Sequence, residues 1–187
     1  MSDATAIATV QQVLDFVSVD SSDDEALLQV LIDRKTEMFE GYCGIDSFYI
    51  NDYVEYYDGN GTQHLFVKNN PINSIAEIAD DSDWVWGTDT VLTAADYRIV
   101  KNRYVVYKNS FTIALQNIRI SYNSGYSVIP LDIVEVLIEE VWRNYKRRKE
   151  SDVLIKTLSD GSTHFVPSGL MPNTRQVLSR YKRLRSA

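Results

Sequence analysis

The sequence predicts an α+β fold: a helical bundle of two N-terminal helices plus one long helix, a small mostly antiparallel β-sheet inserted between them, and an extended C-terminal arm. Three observations carry this. Apolar residues recur at three- and four-residue steps before residue 43 and again after residue 130, the period of a helix with one buried face. From Phe48 to Tyr126, short aromatic and β-branched runs alternate with turn residues, which marks strands. Beyond Pro167, Gly169 and Pro172 the chain is rich in bases and poor in apolar anchors. The corresponding division is a core over residues 1–150, with helices at 4–18, 23–43 and 130–149 and a β region at 48–126, followed by a β-hairpin and basic arm over 151–187.

Ile7, Val10, Leu14 and Val17 form the stripe of the first helix. The polar link Val19-Asp20-Ser21-Ser22-Asp23-Asp24 follows, and Ser22 with Glu25 has the spacing of a capping box. The second helix buries Leu28, Leu31, Ile32, Phe39 and Cys43, and Gly41 or Gly44 stops it. In the β region, 49–57 and His64–Lys68 flank Asp58-Gly59-Asn60-Gly61 as a hairpin, because its glycines permit positive φ. Further strands are read at Ile72–Ile78, Tyr97–Val100, Tyr104–Tyr107 and Ile118–Tyr122. Pro130 suits the first turn of the long helix, whose stripe is Leu131, Val134, Ile138, Val141, Trp142 and Tyr145. Arg143, Lys146, Arg147, Arg148 and Lys149 complement the negative end of its dipole. A hairpin joins Val153–Leu158 to Thr163–Val166.

With 187 residues, 44% of them hydrophobic, the chain is long enough for one packed core with an appendage. No uninterrupted apolar run of ~18 residues occurs, which argues against a membrane span. The first residues lack the basic-then-apolar pattern of a secretory signal, so synthesis in a cytoplasm is expected. Cys43 is the only cysteine; it excludes an intrachain disulfide and a cysteine metal cage and reads as a small buried hydrophobe. The net charge of −7 hides a segregation: residues 1–96 balance at −16 and residues 97–187 at +9. Separated fields of opposite sign orient subunits and steer partners, without specifying the fold.

No catalytic, cofactor or metal site is expected. His64 and His164 are far apart and lack a ligand spacing. Asp80, Asp81, Asp83 and Asp89 lack the glycine and terminal glutamate of a calcium loop, so they read as a solvated acidic loop. No phosphate cradle, dinucleotide fingerprint or nucleophile elbow occurs. The basic arm, with Arg175, Arg180, Lys182, Arg183 and Arg185 around Tyr181, could dock on an acidic protein, touch DNA phosphates or stay solvated. Its apolar anchors, Val177, Leu178, Tyr181 and Leu184, are few, so it is expected to order fully only on a partner. Tyr49, Tyr53 and Tyr57 alternate on one strand, with Tyr56 on the other face. They suit either a neighbouring subunit or cross-strand pairing within one chain.

In this order, the acidic link, Tyr42-Cys43-Gly44, Asp58-Gly59-Asn60-Gly61, Leu65-Phe66-Val67, Asn70-Pro71-Ile72, Asp96-Tyr97, Ser124-Gly125-Tyr126 and Ile129-Pro130 resemble the head-tail connector (adaptor, or head-completion) proteins of tailed bacteriophages over about residues 5–149. The resemblance implies a structural virion protein with no cofactor: a homo-oligomeric ring, usually of twelve subunits, in the neck between capsid and tail. It would bind the portal protein, carry a stopper or tail-completion protein below, and let DNA pass through its lumen without specific binding. By analogy Arg175, Arg180, Lys182 and Arg183 would dock on the portal while Val177, Leu178, Tyr181 and Leu184 pack there. Tyr49, Tyr53, Tyr57, Arg143 and Arg147 would lie at subunit interfaces. Deleting residues 173–187 is then expected to leave a folded chain that no longer attaches. The alternatives are a neck protein lower in the same assembly and a DNA-binding regulator using the basic C-terminus.

Overall fold

The computed structural model describes residues 6–17, 24–148, 155–158, 161–164 and 169–184. Its elements are α1 (Val10–Val17), α2 (Glu25–Cys43), β1 (Asn51–Gly59), β2 (His64–Leu65), β3 (Ile72–Asp80), β4 (Tyr97–Val100), β5 (Tyr104–Tyr107), β6 (Ala114–Ser124), α3 (Leu131–Arg148), β7 (Ile155–Leu158), β8 (Gly161–His164) and α4 (Pro172–Ser179). The class is α+β, and no helix among the described residues is long and apolar enough to cross a membrane. The chain divides into two compact units, residues 1–39 with 130–180 and residues 40–129 with 181–187. Ser22 of the expected capping box, most of the acidic link and Arg185 lie outside the described residues.

Among the described residues the regular elements of the first unit are helices and the antiparallel β7–β8 hairpin. α1 starts later than its apolar spacing suggests because the capping box sits at Thr9 and Gln12. The Gln12 amide donates to Thr9 Oγ1 at 3.2 Å and the Thr9 amide to Gln12 Oε1 at 2.8 Å, satisfying two amides a helix start leaves open. α1 and α4 both pack on α3. The core comprises Ile7, Val13, Leu28, Ile32, Phe39, Ile133, Val136, Leu137, Ile138, Val141, Leu170 and Leu178. The buried face of α3 is therefore centred on Ile133, Leu137 and Val141, rotated from the expected stripe, and Leu131 is 80% exposed. Trp142 and Tyr145 are only half-buried and stack on each other at 5.4 Å.

The second unit holds two three-stranded sheets, in the orders β1-β6-β3 and β2-β5-β4, with every pairing antiparallel. Ile118, Ile120 and Tyr122 alternate along the central strand β6 and share one core with Leu65, Val67, Ile72, Ile78, Val105 and Phe111. β4 and β5 are joined by a turn in which Lys101 and Asn102 have φ of 51° and 53°, the double left-handed geometry of a tight hairpin.

The last turn of α2 closes on Gly44, at φ 73°, whose amide donates to Glu40 O at 2.8 Å; this is the glycine stop expected there. Gly41, one turn earlier, has room for a side chain, since nothing lies within 4 Å of the place a Cβ would take. Gly41→Ala is therefore expected to raise stability by about 0.5–1 kcal/mol through helix propensity, read as a higher urea midpoint.

The expected hairpin at Asp58–Gly61 is not formed: β1 pairs with β6 and β2 with β5, so the turn carries the chain from one sheet to the other. Gly59 is needed for close approach. Its amide donates to Asn117 Oδ1 at 2.7 Å, and a Cβ would lie 1.7 Å from Thr112 O.

Candidate functional site

The residues expected to dock on a partner fall in both units. In the first, the C-terminal segment is held by a buried polar hub on α3. Glu140, fully buried, accepts from Lys35 Nζ at 3.2 Å, Arg143 Nη2 at 2.6 Å, the Met171 amide at 2.7 Å and Thr174 Oγ1 at 3.1 Å. Arg143 Nη2 also donates to Gly169 O at 2.6 Å. Burial alone would raise the Glu140 carboxyl, but the Met171 amide, Arg143 and Lys35 outweigh it and hold the group below the usual carboxylate range.

Three expectations are corrected here. Residues 169–180 are not a loosely anchored arm, since Leu178 and Thr174 are fully buried and Arg175 Nε donates to Leu170 O at 2.9 Å. Arg143, assigned to a subunit interface, spends its charge on Glu140 inside the unit. Leu178 is likewise a core residue rather than a surface anchor. Arg175 and Arg180 remain exposed on α4 and its C-cap, the latter 3.6 Å from Asp132; Val177 and Arg147 are half-buried.

In the second unit Tyr181–Leu184 run along the end of α2. The Arg183 amide donates to Cys43 O at 2.9 Å, Arg103 Nη2 donates to Lys182 O at 3.2 Å, and the Lys182 ammonium lies 3.9 Å from the Tyr42 ring centroid. Tyr181 meets Tyr126 edge-on at 6.2 Å. Arg183 and Leu184 line a groove with Tyr57, Leu65, Phe66 and Ile118. Cys43 is buried, and burial pushes its thiol up to about 12, so it is an inert hydrophobe, as its sequence context suggests.

Tyr53 and Tyr57 of β1 point inward. Tyr53 packs against Tyr122 at 5.7 Å, and Tyr57 donates to Glu55 while accepting from the Lys68 amide at 2.6 Å. Tyr122 OH donates to Glu55 Oε2 at 2.7 Å and accepts from the buried Asn69 amide at 3.1 Å. Burial, then the Glu55 carboxylate, raises both Tyr57 and Tyr122, as expected for phenols that donate to an acid. Tyr53 and Tyr57 thus form cross-strand pairs within one chain; Tyr49 is half-buried and bridges Tyr126. The outer face of the sheet instead presents Val54 and Tyr56, 60% and 48% exposed. Trp86 folds onto it, 5.5 Å from the Tyr56 ring and 5.1 Å below the Arg119 guanidinium, which is paired with Glu77.

Two features were not singled out in the sequence: the buried Glu140 hub and the Trp86–Arg119 stack beside the acidic loop. An acid at a buried-face position of α3 was the available signal for the first, because such a carboxylate requires partners. The acidic loop is organised by its own backbone. Asp81 accepts from the Asp83 amide at 2.9 Å and the Trp86 amide at 2.6 Å, which hold its carboxyl low. Asp80 accepts from the Thr112 amide at 2.8 Å and Asn117 Nδ2 at 2.6 Å. Among the described residues no group of three or more His, Cys, Asp or Glu gathers as a metal site.

Comparison with known proteins places this architecture. No curated protein matches the sequence. The fold is similar to a chain in the neck of the native gene transfer agent (GTA) particle computed with C12 symmetry, with TM-score 0.59, 13% identity, and coverage of 100% of this chain and 94% of that one. It is also similar to a chain in the neck of the empty GTA particle computed with C6 symmetry, with TM-score 0.57, 15% identity and the same coverages. A chain from the virion of the native gene transfer agent particle gives TM-score 0.56 at 13% identity, covering 97% of this chain and 92% of that one. The family described as head completion protein matches residues 6–184, both units included, and the chain therefore belongs to the head completion protein family.

Proposed function

We propose that this chain is a structural component of the neck of a tailed, phage-like particle, where it joins the portal vertex of the capsid to the tail and extends the DNA channel as a ring of about twelve copies. The observation that carries this reading is the head completion family match over residues 6–184, supported by a fold shared with neck chains of C12 and C6 particles. The segregated charge supports it as well, because a closed ring is built from heterologous contacts between unlike faces. An acidic lumen would let DNA pass without gripping its phosphates. In this reading the portal lies against the basic C-terminal segment, a stopper or tail-completion protein lies below, and no reaction is catalysed.

Arg175 and Arg180, both exposed, are the docking residues best placed for a test. Deleting residues 173–187 would also remove buried Thr174 and Leu178 and strip a ligand from Glu140, so loss of attachment would not be separable from loss of fold. Arg175→Glu/Arg180→Glu removes the Arg175–Leu170 bond and the Arg180–Asp132 pair, so it is expected to lower the melting transition only modestly while weakening binding to portal complexes roughly tenfold, with the remaining affinity less dependent on salt. Electron microscopy of the purified chain mixed with portal complexes of the same particle is expected to show a ring extending the portal. A folded chain that adds no density would overturn portal attachment in favour of a lower neck position; tight duplex-DNA binding at physiological salt would favour a regulator.

A further inference from the structure

The second unit has two unlike ends. β3 begins beside the β4–β5 turn, where the Ile72 amide donates to Asn102 O at 2.7 Å. It runs for 9 residues to Asp80, about 30 Å at the rise of a strand, and there enters the loop 81–91. At that far end Trp84, Val85, Ile113 and Leu115 are 58%, 78%, 78% and 72% exposed. Trp84 Nε1 donates to Leu115 O at 3.1 Å, which ties the loop to the start of β6 as one tip. Asp83 and Asp89 are exposed on the same loop. Trp86 is covered by Tyr56 and Arg119, but Trp84 and Val85 face outward, and four large apolar side chains in one place exceed what scattered surface residues need.

The near end carries more base than acid, with Lys101 and Lys182 exposed there against Asp52. Lys101 is exposed in the β4–β5 turn, and Arg103 from the same turn holds the Lys182 carbonyl. Ile50 and Val128, 44% and 77% exposed, are brought to this end by the Tyr49–Tyr126 bridge and by the Gly125 amide, which donates to Pro71 O at 2.9 Å. Each end therefore combines apolar contact area with charge, acidic at the tip and basic at the start of β3.

We propose that the acidic, apolar tip around Trp84 and Val85 in one copy docks on the basic end around Lys101 and Val128 in the next copy, head to tail. This assignment rests on the ring reading above. Opposite charge favours the unlike pairing and disfavours tip against tip, which would bring Asp83 and Asp89 of two copies together. A contact between unlike ends is also the kind that propagates around a ring.

Two exposed double variants test it. Asp83→Lys/Val85→Lys makes the tip basic, and Lys101→Glu/Val128→Glu makes the other end acidic. Each alone is expected to give at least tenfold fewer rings on portal complexes by electron microscopy, while an equimolar mixture restores rings to within about twofold of the unaltered chain, since unlike ends then alternate. Asp89→Lys on the tip probes the same contact with a single change and is expected to lower ring yield in the same direction. Unaltered yield from either double variant alone overturns the docking assignment, as does a mixture that restores nothing while both variants melt like the parent. If the parent chain itself forms no ring on the portal, the portal-ring reading falls and this contact falls with it.

Discussion

Glu140→Ala is expected to destabilise the first unit by about 3–5 kcal/mol, the usual consequence of removing one member of a buried charge network. The change leaves Lys35 and Arg143 without their carboxylate and orphans the Met171 amide and the Thr174 hydroxyl. Arg143 already has Nε and Nη1 buried without a hydrogen-bond partner among the described residues, so it has little capacity to compensate. Urea unfolding followed by far-UV circular dichroism measures the loss, and a cost under about 1 kcal/mol would show that water replaces the carboxylate. The effect carries a pH signature. Because the folded carboxyl titrates below its ordinary value of 4.5, its contribution is fully present above that value and disappears as pH falls through the folded pKa. The gap between parent and variant is therefore expected to be widest near neutral pH and to close in acid.

Gly125→Ala is the second large effect, at about 3–5 kcal/mol from two sources acting together. Gly125 has φ of 121°, a region that strains any residue with a side chain. Its Cβ would lie 2.2 Å from Tyr49 O, 2.4 Å from Tyr49 C and 2.7 Å from Ile50 N. These are backbone atoms and cannot swing away, so the start of β1 must open. Gly169 provides the control: its φ is 150°, yet nothing lies within 4 Å of its Cβ position, and Gly169→Ala is expected to cost only about 1 kcal/mol. Equal melting shifts for the two variants would mean that backbone strain alone, and not the contact with Tyr49, sets the cost.

Local features were legible in the sequence where the chain itself decides the outcome. β4 and β5 run from Tyr97 to Val100 and from Tyr104 to Tyr107 as their composition indicates, and the helix stop at Gly44 and the helix start after Pro130 follow from glycine and proline chemistry. Long-range pairing was not legible. Asp58–Gly61 has hairpin composition, but β1 gains more by pairing with β6, whose Ile118, Ile120 and Tyr122 bury in the shared core. Thr9 and Gln12 form the capping box that fixes a helix start which apolar spacing alone placed elsewhere. On α3 the apolar residues are too many for one face, and the orientation is decided by Glu140, whose partners lie 105 residues upstream and 34 downstream. The tyrosine row of β1 was readable as alternating, but its direction depended on Glu55 and Asn69, which no local rule links to it. Portal docking by Arg175, Arg180, Lys182 and Arg183 stays a proposal that the exposed Arg175 and Arg180 make testable.

The hub at Glu140 also imposes an order on synthesis. Its ligands come from Lys35, Arg143, Met171 and Thr174, so a ribosome must release nearly the whole chain before that carboxylate is satisfied. Until then Glu140 has only Lys35 and Arg143 of its four partners and the apolar stripe of α3 is incompletely covered, which disfavours early collapse of the helical unit. A chain truncated shortly before residue 170 would emerge with this unit open and exposed to proteases, while the two three-stranded sheets, complete by residue 124, could already be closed.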